Sequence, residues 1–161
     1  MTRGVLALIF LITASHAAAG NAPEQPLPFR HKQHSALGLK CAECHAGSEA
    51  GDRMGFPTTA KCMACHTFVA KEKASIQKLA GYAKSKEPIP WVRVNAVATY
   101  VYWSHKDHSD AGFGCKTCHG DVAQMDVLAK SSNATSMQAC MTCHKTNKAS
   151  IGCAFCHEDK N

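Results

Sequence analysis

Every cysteine of the chain belongs to one short motif that occurs five times. The motif is Cys-x-x-Cys-His, and its copies are Cys41/Cys44/His45, Cys62/Cys65/His66, Cys115/Cys118/His119, Cys140/Cys143/His144 and Cys153/Cys156/His157. Residues i and i+3 share one side of a helical turn, so both thiols can add to the two vinyl groups of one porphyrin. The next histidine then lies beneath the iron. Because this pattern is the attachment signature of c-type haem, the sequence predicts five covalently bound haems.

Other uses of paired cysteines leave the histidines unexplained. A zinc ribbon also contains Cys-x-x-Cys pairs, but it does not need a histidine directly after each pair. A disulfide framework is typical of a small secreted chain, yet it too gives the histidines no role. A thioredoxin-like redox motif would occur once, beside a βαβ pattern. Covalent haem is therefore the interpretation that accounts for every member of the motif.

Two pairs of histidines precede two of the motifs. His31 and His34 lie ten and seven residues before Cys41, and the pair His105 and His108 has the same spacing before Cys115. The two members of a pair project from neighbouring helical turns, so one iron cannot easily take both. We expect them to be the distal ligands of two different haems and to hold those haems close together. The spacing alone leaves open which histidine serves which haem.

Four distal histidines leave one of five irons without an imidazole. Met137, three residues before Cys140, is the best candidate for its sixth ligand, followed by Met125. Met63 and Met141 lie inside Cys-x-x-Cys loops and are expected to pack against haem instead. A thioether ligand would raise the potential within the roughly 0.8 V that axial ligands span. Lysine, water or an open position are the alternatives.

The chain contains an internal duplication. Residues 29–45 match residues 103–119 at a constant offset of 74, with the initial aromatic residue, both histidines, a serine, a glycine and the motif all coinciding. A further match joins residues 62–66 to residues 140–144 at an offset of 78. We therefore predict a two-haem unit over 20–67 and a three-haem unit over 103–161, together forming one compact haem domain.

The N-terminal residues 1–19 have the pattern of a secretory signal peptide. A positive start is followed by an apolar run of 11 residues from Gly4 to Ala14 and by three alanines from Ala17. The run is shorter than the roughly 20 apolar residues of a membrane span, although an uncleaved anchor is the alternative. His16 lies in this segment and is excluded as a ligand. We expect the periplasm or the outer face of the cytoplasmic membrane, with an extracellular location less favoured.

Residues 68–102 form the long stretch without a haem motif. Val69, Ile76 and Leu79 recur at helical spacing, which predicts an amphipathic helix over 68–86 that ends before two prolines. The segments 91–94 and 99–103 are predicted to be extended. This insert either covers haem faces or docks another subunit.

The predicted fold class is a multihaem cytochrome c, mostly irregular, with short α-helices, little β-structure and class III-like duplicated units. The chain has 161 residues for five haems, which is too little for an ordinary apolar core, so the haems must fill the interior. The formal charge of +6 does not indicate a nucleic-acid partner, because the haem propionates would offset it.

Several segments resemble a known family beyond the haem motifs. The paired histidines before Cys-x-x-Cys-His resemble the class III multihaem cytochromes. The more specific segments are similar to the pentahaem subunit of alternative complex III, and they are residues 28–34, 55–66, 86–94, 101–105 and 136–144. The resemblance implies a respiratory-chain cytochrome in a membrane-bound quinol-oxidising assembly, with iron–sulfur and cytochrome partners. A methionine before the fourth motif also occurs in that family, which supports Met137.

The leading functional prediction is an electron-transfer protein rather than an enzyme, because six-coordinate, largely bis-histidine irons exclude substrate. We expect any membrane association to occur through partner proteins, and an oligomer is possible. The alternatives are a free periplasmic electron carrier, a cytochrome that polymerises into a conducting filament, and a small reductase that uses one open iron.

Overall fold

The computed structural model describes residues 22–47, 51, 53–128 and 135–157. These ranges contain eight short α-helices and one 3₁₀ helix, Val122–Gln124. The α-helices are α1 (His31–Ser35), α2 (Cys41–Cys44), α3 (Thr59–His66), α4 (Ala74–Ser85), α5 (His105–Asp110), α6 (Cys115–His119), α7 (Met137–Thr146) and α8 (Cys153–Cys156). The predicted signal peptide, residues 1–19, lies outside the described residues.

The helices follow the haem motifs. The two cysteines of each motif lie within one of α2, α3, α6, α7 and α8, so each pair occupies about one helical turn, as the spacing predicts. The paired histidines lie on α1 and α5. Among the described residues there is no strand, and a single isolated bridge joins Val101 to His157. The prediction of a mostly irregular fold with short helices and little β-structure is confirmed.

The described part of the chain buries few apolar side chains. Only Leu27, Leu79 and Ile89 form a buried apolar cluster there, with Ser104 as the buried polar residue. Large apolar side chains remain exposed, and Phe68 is 82% exposed. Apolar side chains that the polypeptide itself does not cover are available to contact a porphyrin.

The helix of the insert is shorter than predicted. Helix α4 begins at Ala74 rather than near residue 68, because residues 67–73 form turns. Ala70 has a φ of 55°, a left-handed conformation that a continuous right-handed helix cannot contain. At the other end, Lys86 takes the left-handed position after the last helical residue. Gly81 lies inside the helix and does not interrupt it.

The insert packs against the second haem motif. Leu79 on α4 joins Leu27 and Ile89, and this cluster contacts the partly buried Cys62 and Met63. Helix α4 also lies against α3, which carries that motif. The predicted extended segments 91–94 and 99–103 form no strand, apart from the bridge at Val101. Helix α4 of the insert therefore covers one side of the second motif.

No helix within the described ranges combines the length and apolarity that crossing a bilayer requires.

Candidate haem-binding sites

Each of the four upstream histidines faces the histidine of one motif. We name the motifs site 1 to site 5 in chain order, beginning with Cys41/Cys44/His45 and ending with Cys153/Cys156/His157. The distances between ring centres are 6.3 Å for His31 and His45 (site 1), 6.2 Å for His34 and His66 (site 2), 6.4 Å for His105 and His119 (site 3) and 6.1 Å for His108 and His144 (site 4).

These separations fit an iron between two imidazoles. A metal ion bound to one nitrogen of each ring, through bonds of about 2 Å, places the ring centres about 6 Å apart. The two histidines of α1 face different motifs, and so do those of α5. The structure thus separates the two members of each sequence pair and places each upstream histidine opposite the histidine of one motif. This assignment was not readable from the spacing.

An aromatic ring fixes the two histidines of each helix. Phe29 lies with its ring centre 4.9 Å from that of His31 and 4.3 Å from that of His34. Trp103, at the equivalent position of the second copy, lies 5.3 Å from His105 and 4.1 Å from His108. These aromatic residues hold the orientation of the distal imidazoles. Their repetition at the offset of 74 is the sequence signal for this role.

Backbone carbonyls orient most of the imidazoles from behind. The Nδ1 atom lies within hydrogen-bond distance of a carbonyl oxygen in five rings, and a carbonyl can only accept, so Nδ1 donates and Nε2 remains available to a metal. The acceptors are Arg30 for His34, Gly55 for His45, Val69 for His66, Ser104 for His108 and Ser150 for His144, at distances of 2.9, 3.0, 3.0, 2.8 and 2.7 Å. Sequence reasoning did not find these acceptors, because main-chain oxygens leave no residue-type signal.

Burial favours the neutral form of two of the imidazoles. Burial lowers the pKa of His31, and the neighbouring ring of His45 lowers it further. Burial likewise lowers the pKa of His119, with His105 as the next contributor. A neutral imidazole is the form that binds a metal. The Nδ1 atom of His31 is buried without a hydrogen-bond partner.

None of the ten cysteines forms a disulfide, so the described residues contain none of the bonds that a disulfide framework would need. Burial raises the pKa of the thiols of Cys62, Cys118 and Cys140. Each pair is presented on one helical turn, with the motif histidine at or just past the end of that turn. This geometry is suited to two thioether bonds and a proximal ligand for one haem.

The two attachment cysteines predicted for site 2 differ in exposure. Cys62 is partly buried beside the apolar cluster of the insert, whereas Cys65 is exposed. The backbone carbonyl of Cys65 accepts hydrogen bonds from the N–H groups of Phe68 and Val69, at 3.0 and 2.9 Å. The polypeptide therefore covers one thiol of the site and leaves the other on the surface. The apolar side chains that partly bury Cys62 do not reach Cys65. The thioether bonds of both cysteines are predicted from the motif.

Site 5 differs from the other four. His157 faces Tyr100 rather than a histidine, with ring centres 5.9 Å apart, and its backbone pairs with Val101. Met137, the predicted sixth ligand, is the first residue of α7 and is 62% exposed. It lies one turn before Cys140, whose thiol is close enough to Cys156 of site 5 for their charges to interact. Met125 follows the 3₁₀ helix instead, beside α1.

Comparison with known proteins agrees with this architecture. The sequence model of the class III cytochrome c family matches residues 10–89 of the chain. A cytochrome c3 of Desulfuromonas acetoxidans is 38% identical over 58 residues, which are 35% of this chain and 79% of that protein. The chain belongs to the class III cytochrome c family.

This class III cytochrome is also similar to a larger relative. The multihaem cytochrome c subunit of a menaquinone reductase from Nitratidesulfovibrio vulgaris is 29% identical over an alignment that covers 96% of this chain and 86% of that subunit. The chain is thus a multihaem c-type cytochrome with covalently attached haem, and it carries electrons rather than converting a substrate.

Proposed function

We propose that this class III cytochrome holds five haems and relays electrons between redox partners, as a subunit or partner of a membrane quinol-oxidising complex on the outer side of the cytoplasmic membrane. The observation that carries the proposal is the set of four imidazole pairs, with ring centres 6.1–6.4 Å apart. When bound, each haem supplies a one-electron couple.

The proposed attachment residues are the ten cysteines of the five motifs, with the exposed Cys65 among them. The proximal ligands are His45, His66, His119, His144 and His157, and the distal ligands of sites 1 to 4 are His31, His34, His105 and His108. Imidazoles on both faces of an iron close it to substrate. Five backbone carbonyls and two aromatic side chains fix those rings, so a change of iron charge is not accompanied by a large ligand movement.

We propose Met137 as the sixth ligand of site 5. Its support is positional, because α7 begins at Met137 and carries Cys140, which neighbours Cys156. A thioether is a weaker donor than an imidazole, so this site would have the higher potential. The thioether ligand would therefore make the reduction potential of site 5 differ from those of the four bis-histidine sites.

The domain organisation proposed from the duplication assigns residues 20–67 to a two-haem unit and residues 103–161 to a three-haem unit. In the insert between them, residues 68–102, helix α4 lies against site 2. The signal peptide proposed for residues 1–19 would deliver the chain to the compartment where c-type haem is attached.

The partner assignment rests on the similarity to a menaquinone reductase subunit over 96% of this chain. That relative is named as part of a quinone-reducing enzyme, so we infer quinol-linked membrane proteins as the partners here. Exchange with iron–sulfur or cytochrome subunits requires only that haem edges approach one another, and weak contacts are sufficient for this.

Purification of the holoprotein from its native membranes tests the proposal. We expect a pyridine haemochrome assay to give five haems per chain and the visible spectrum to be low-spin. We also expect the cytochrome to co-purify with quinol-oxidising activity. A soluble monomer without membrane association would replace the complex subunit with a free periplasmic carrier, and a count below five would refute the haem assignment.

A further inference from the structure

We infer that the two duplicated copies pack against each other about a local two-fold axis, so that the haem sites lie in single file in the order 2, 1, 3, 4, 5. The inference rests on the proposed five-haem function and adds the spatial arrangement. It makes sites 2 and 5 the two ends of the file. It follows from three sets of contacts, taken from the centre outward.

The centre of the file is a contact between equivalent residues. The Cys41 thiol of site 1 lies close to the Cys115 thiol of site 3, and these cysteines are the same position of the repeat at its offset of 74. A second equivalent pair, His45 and His119, also lies close together. In a two-fold arrangement, a residue meets its own counterpart only near the axis. The axis therefore passes between site 1 and site 3.

The contacts on either side of the centre are reciprocal. The backbone N–H of Lys32, in α1, donates a hydrogen bond of 3.0 Å to the carbonyl of Met125. Met125 follows the site 3 motif in the chain. The backbone N–H of His105, at the start of α5, donates a hydrogen bond of 3.0 Å to the carbonyl of Gly51. Gly51 follows the site 1 motif in the chain. Gly51 and Met125 are equivalent at the offset of 74, and the two donors differ by one place in the repeat.

This reciprocity excludes a head-to-tail packing of the two copies. In a head-to-tail packing the start of one copy would contact the end of the other, and the reverse contact would be missing. Here the helix that carries the histidine pair in each copy, α1 or α5, is hydrogen-bonded to the segment that follows the first motif of the other copy. Helix α1 accordingly packs along the 3₁₀ helix Val122–Gln124 of the second copy.

Each histidine helix then joins a central site to an outer one. Helix α1 supplies His31 to site 1 and His34 to site 2, and the thiols of Cys44 and Cys62 in those two sites interact. Helix α5 joins site 3 to site 4 in the same way, through His105 and His108. The thiol of Cys118, in site 3, is likewise close to those of Cys140 and Cys143 in site 4. The order of the first four sites is therefore 2, 1, 3, 4.

Site 5 extends the file beyond site 4. The ring of Phe155, inside the site 5 motif, lies 6.2 Å from the ring of His144 in site 4. The thiols of Cys140 and Cys156 also interact across this boundary. The carbonyl of Cys156 accepts a hydrogen bond of 2.7 Å from the backbone of Tyr102, in the insert. Site 5 has no counterpart in the first copy, so it makes the file asymmetric.

The order has a functional consequence for the proposed relay. An electron that crosses the whole protein passes every site once, and it enters or leaves at site 2 and at site 5. Site 2 lies against α4 of the insert, whereas at site 5 the motif histidine faces Tyr100 and no second imidazole among the described residues. The two ends are therefore chemically different, which gives the relay two distinguishable ends.

A crystal structure of the holoprotein with anomalous diffraction at the iron edge tests the order directly. We expect five iron peaks in single file, with the site 1 and site 3 irons adjacent and a two-fold axis relating the first four. A branched cluster, or site 1 and site 3 placed apart, would overturn the inference. The number of peaks tests the proposed five haems separately, because fewer peaks would contradict that proposal while leaving the order of the others readable.

Redox coupling between neighbouring haems gives a second measurement. A His→Met substitution raises the potential of one haem, and NMR-monitored titration shows which other haems respond through the changed charge. We expect His34→Met to shift chiefly the haem of site 1, because site 2 is an end. We expect His31→Met, one helical turn away, to shift the haems of sites 2 and 3. A response of site 4 or 5 to His34→Met as large as that of site 1 would refute the single file.

Discussion

The imidazole rings of His31 and His45 face each other with planes only 14° from parallel. The equivalent pair in the second copy, His105 and His119, is inclined by 12°. The outer pairs, at sites 2 and 4, are inclined by 60° and 38°. The duplication has therefore preserved the geometry of the central ligand pairs more closely than that of the outer ones. The central pairs also lie next to the contact between the two copies.

Replacing a distal histidine should open one iron without releasing its haem. In His31→Ala we expect five haems per chain, because the thioether bonds of Cys41 and Cys44 are independent of the sixth ligand. About one haem in five should become high-spin and bind carbon monoxide, since its iron has lost an axial ligand. Optical difference spectra with carbon monoxide, scaled to the haem count, measure this fraction.

Gln33→Ala is the matched control for that experiment. Gln33 lies on α1 between the two histidines and is exposed, so its removal should leave all irons low-spin. A fully low-spin His31→Ala protein would show that His31 is not the ligand of site 1.

The helix that carries the second histidine pair should depend on its N-cap. The Ser104 hydroxyl accepts a hydrogen bond from the backbone N–H of Asp107 at 3.2 Å, and Ser104 is only 8% exposed. We expect Ser104→Ala to lower the free energy of unfolding by about 1 kcal/mol, as measured by denaturant titration of the holoprotein. The equivalent residue of the first copy is Arg30, which makes no side-chain cap.

Arg30→Ala is therefore the control, with an expected change below about 0.5 kcal/mol. Equal losses in the two variants would mean that the Ser104 hydroxyl does not stabilise α5.

The sequence predicted the local chemistry of the sites better than their arrangement. The Cys-x-x-Cys-His spacing and the histidine pairs indicate the ligands, because a single helical turn dictates both. The pairing of His31 with His45, and of His34 with His66, depends on how separate helices meet, and no local pattern encodes that. The start of α4 was predicted about six residues too early, since the left-handed backbone at Ala70 leaves no mark in the apolar spacing.

Removing the attachment cysteines of site 5 should cost one haem and little else. Helix α8 supplies no ligand to another site among the four imidazole pairs, so we expect a double Cys153→Ser and Cys156→Ser variant to retain four low-spin haems. Mass spectrometry and a pyridine haemochrome assay count them. The matched variant, Cys41→Ser with Cys44→Ser, removes the central contact with Cys115. It should also lower the midpoint of thermal unfolding further than the site 5 variant.

The opposite ranking would contradict the central position of site 1. If the site 5 variant lost two or more haems, α8 would contribute to sites other than its own, and the assignment of ligands to sites 1 to 4 would need revision.

The sixth ligand of site 5 can be identified by exchanging methionines. In Met137→His we expect the potential of one haem to fall by part of the roughly 0.8 V range, because an imidazole is a stronger donor than a thioether. Met137→Ala should instead let one haem bind carbon monoxide. Redox titration and optical difference spectra measure these two effects. Met141→Ala is the control, since Met141 lies inside the Cys140–Cys143 loop and is expected only to pack against haem. Carbon monoxide binding by the unsubstituted protein would show that site 5 is open and would remove the case for a methionine ligand there.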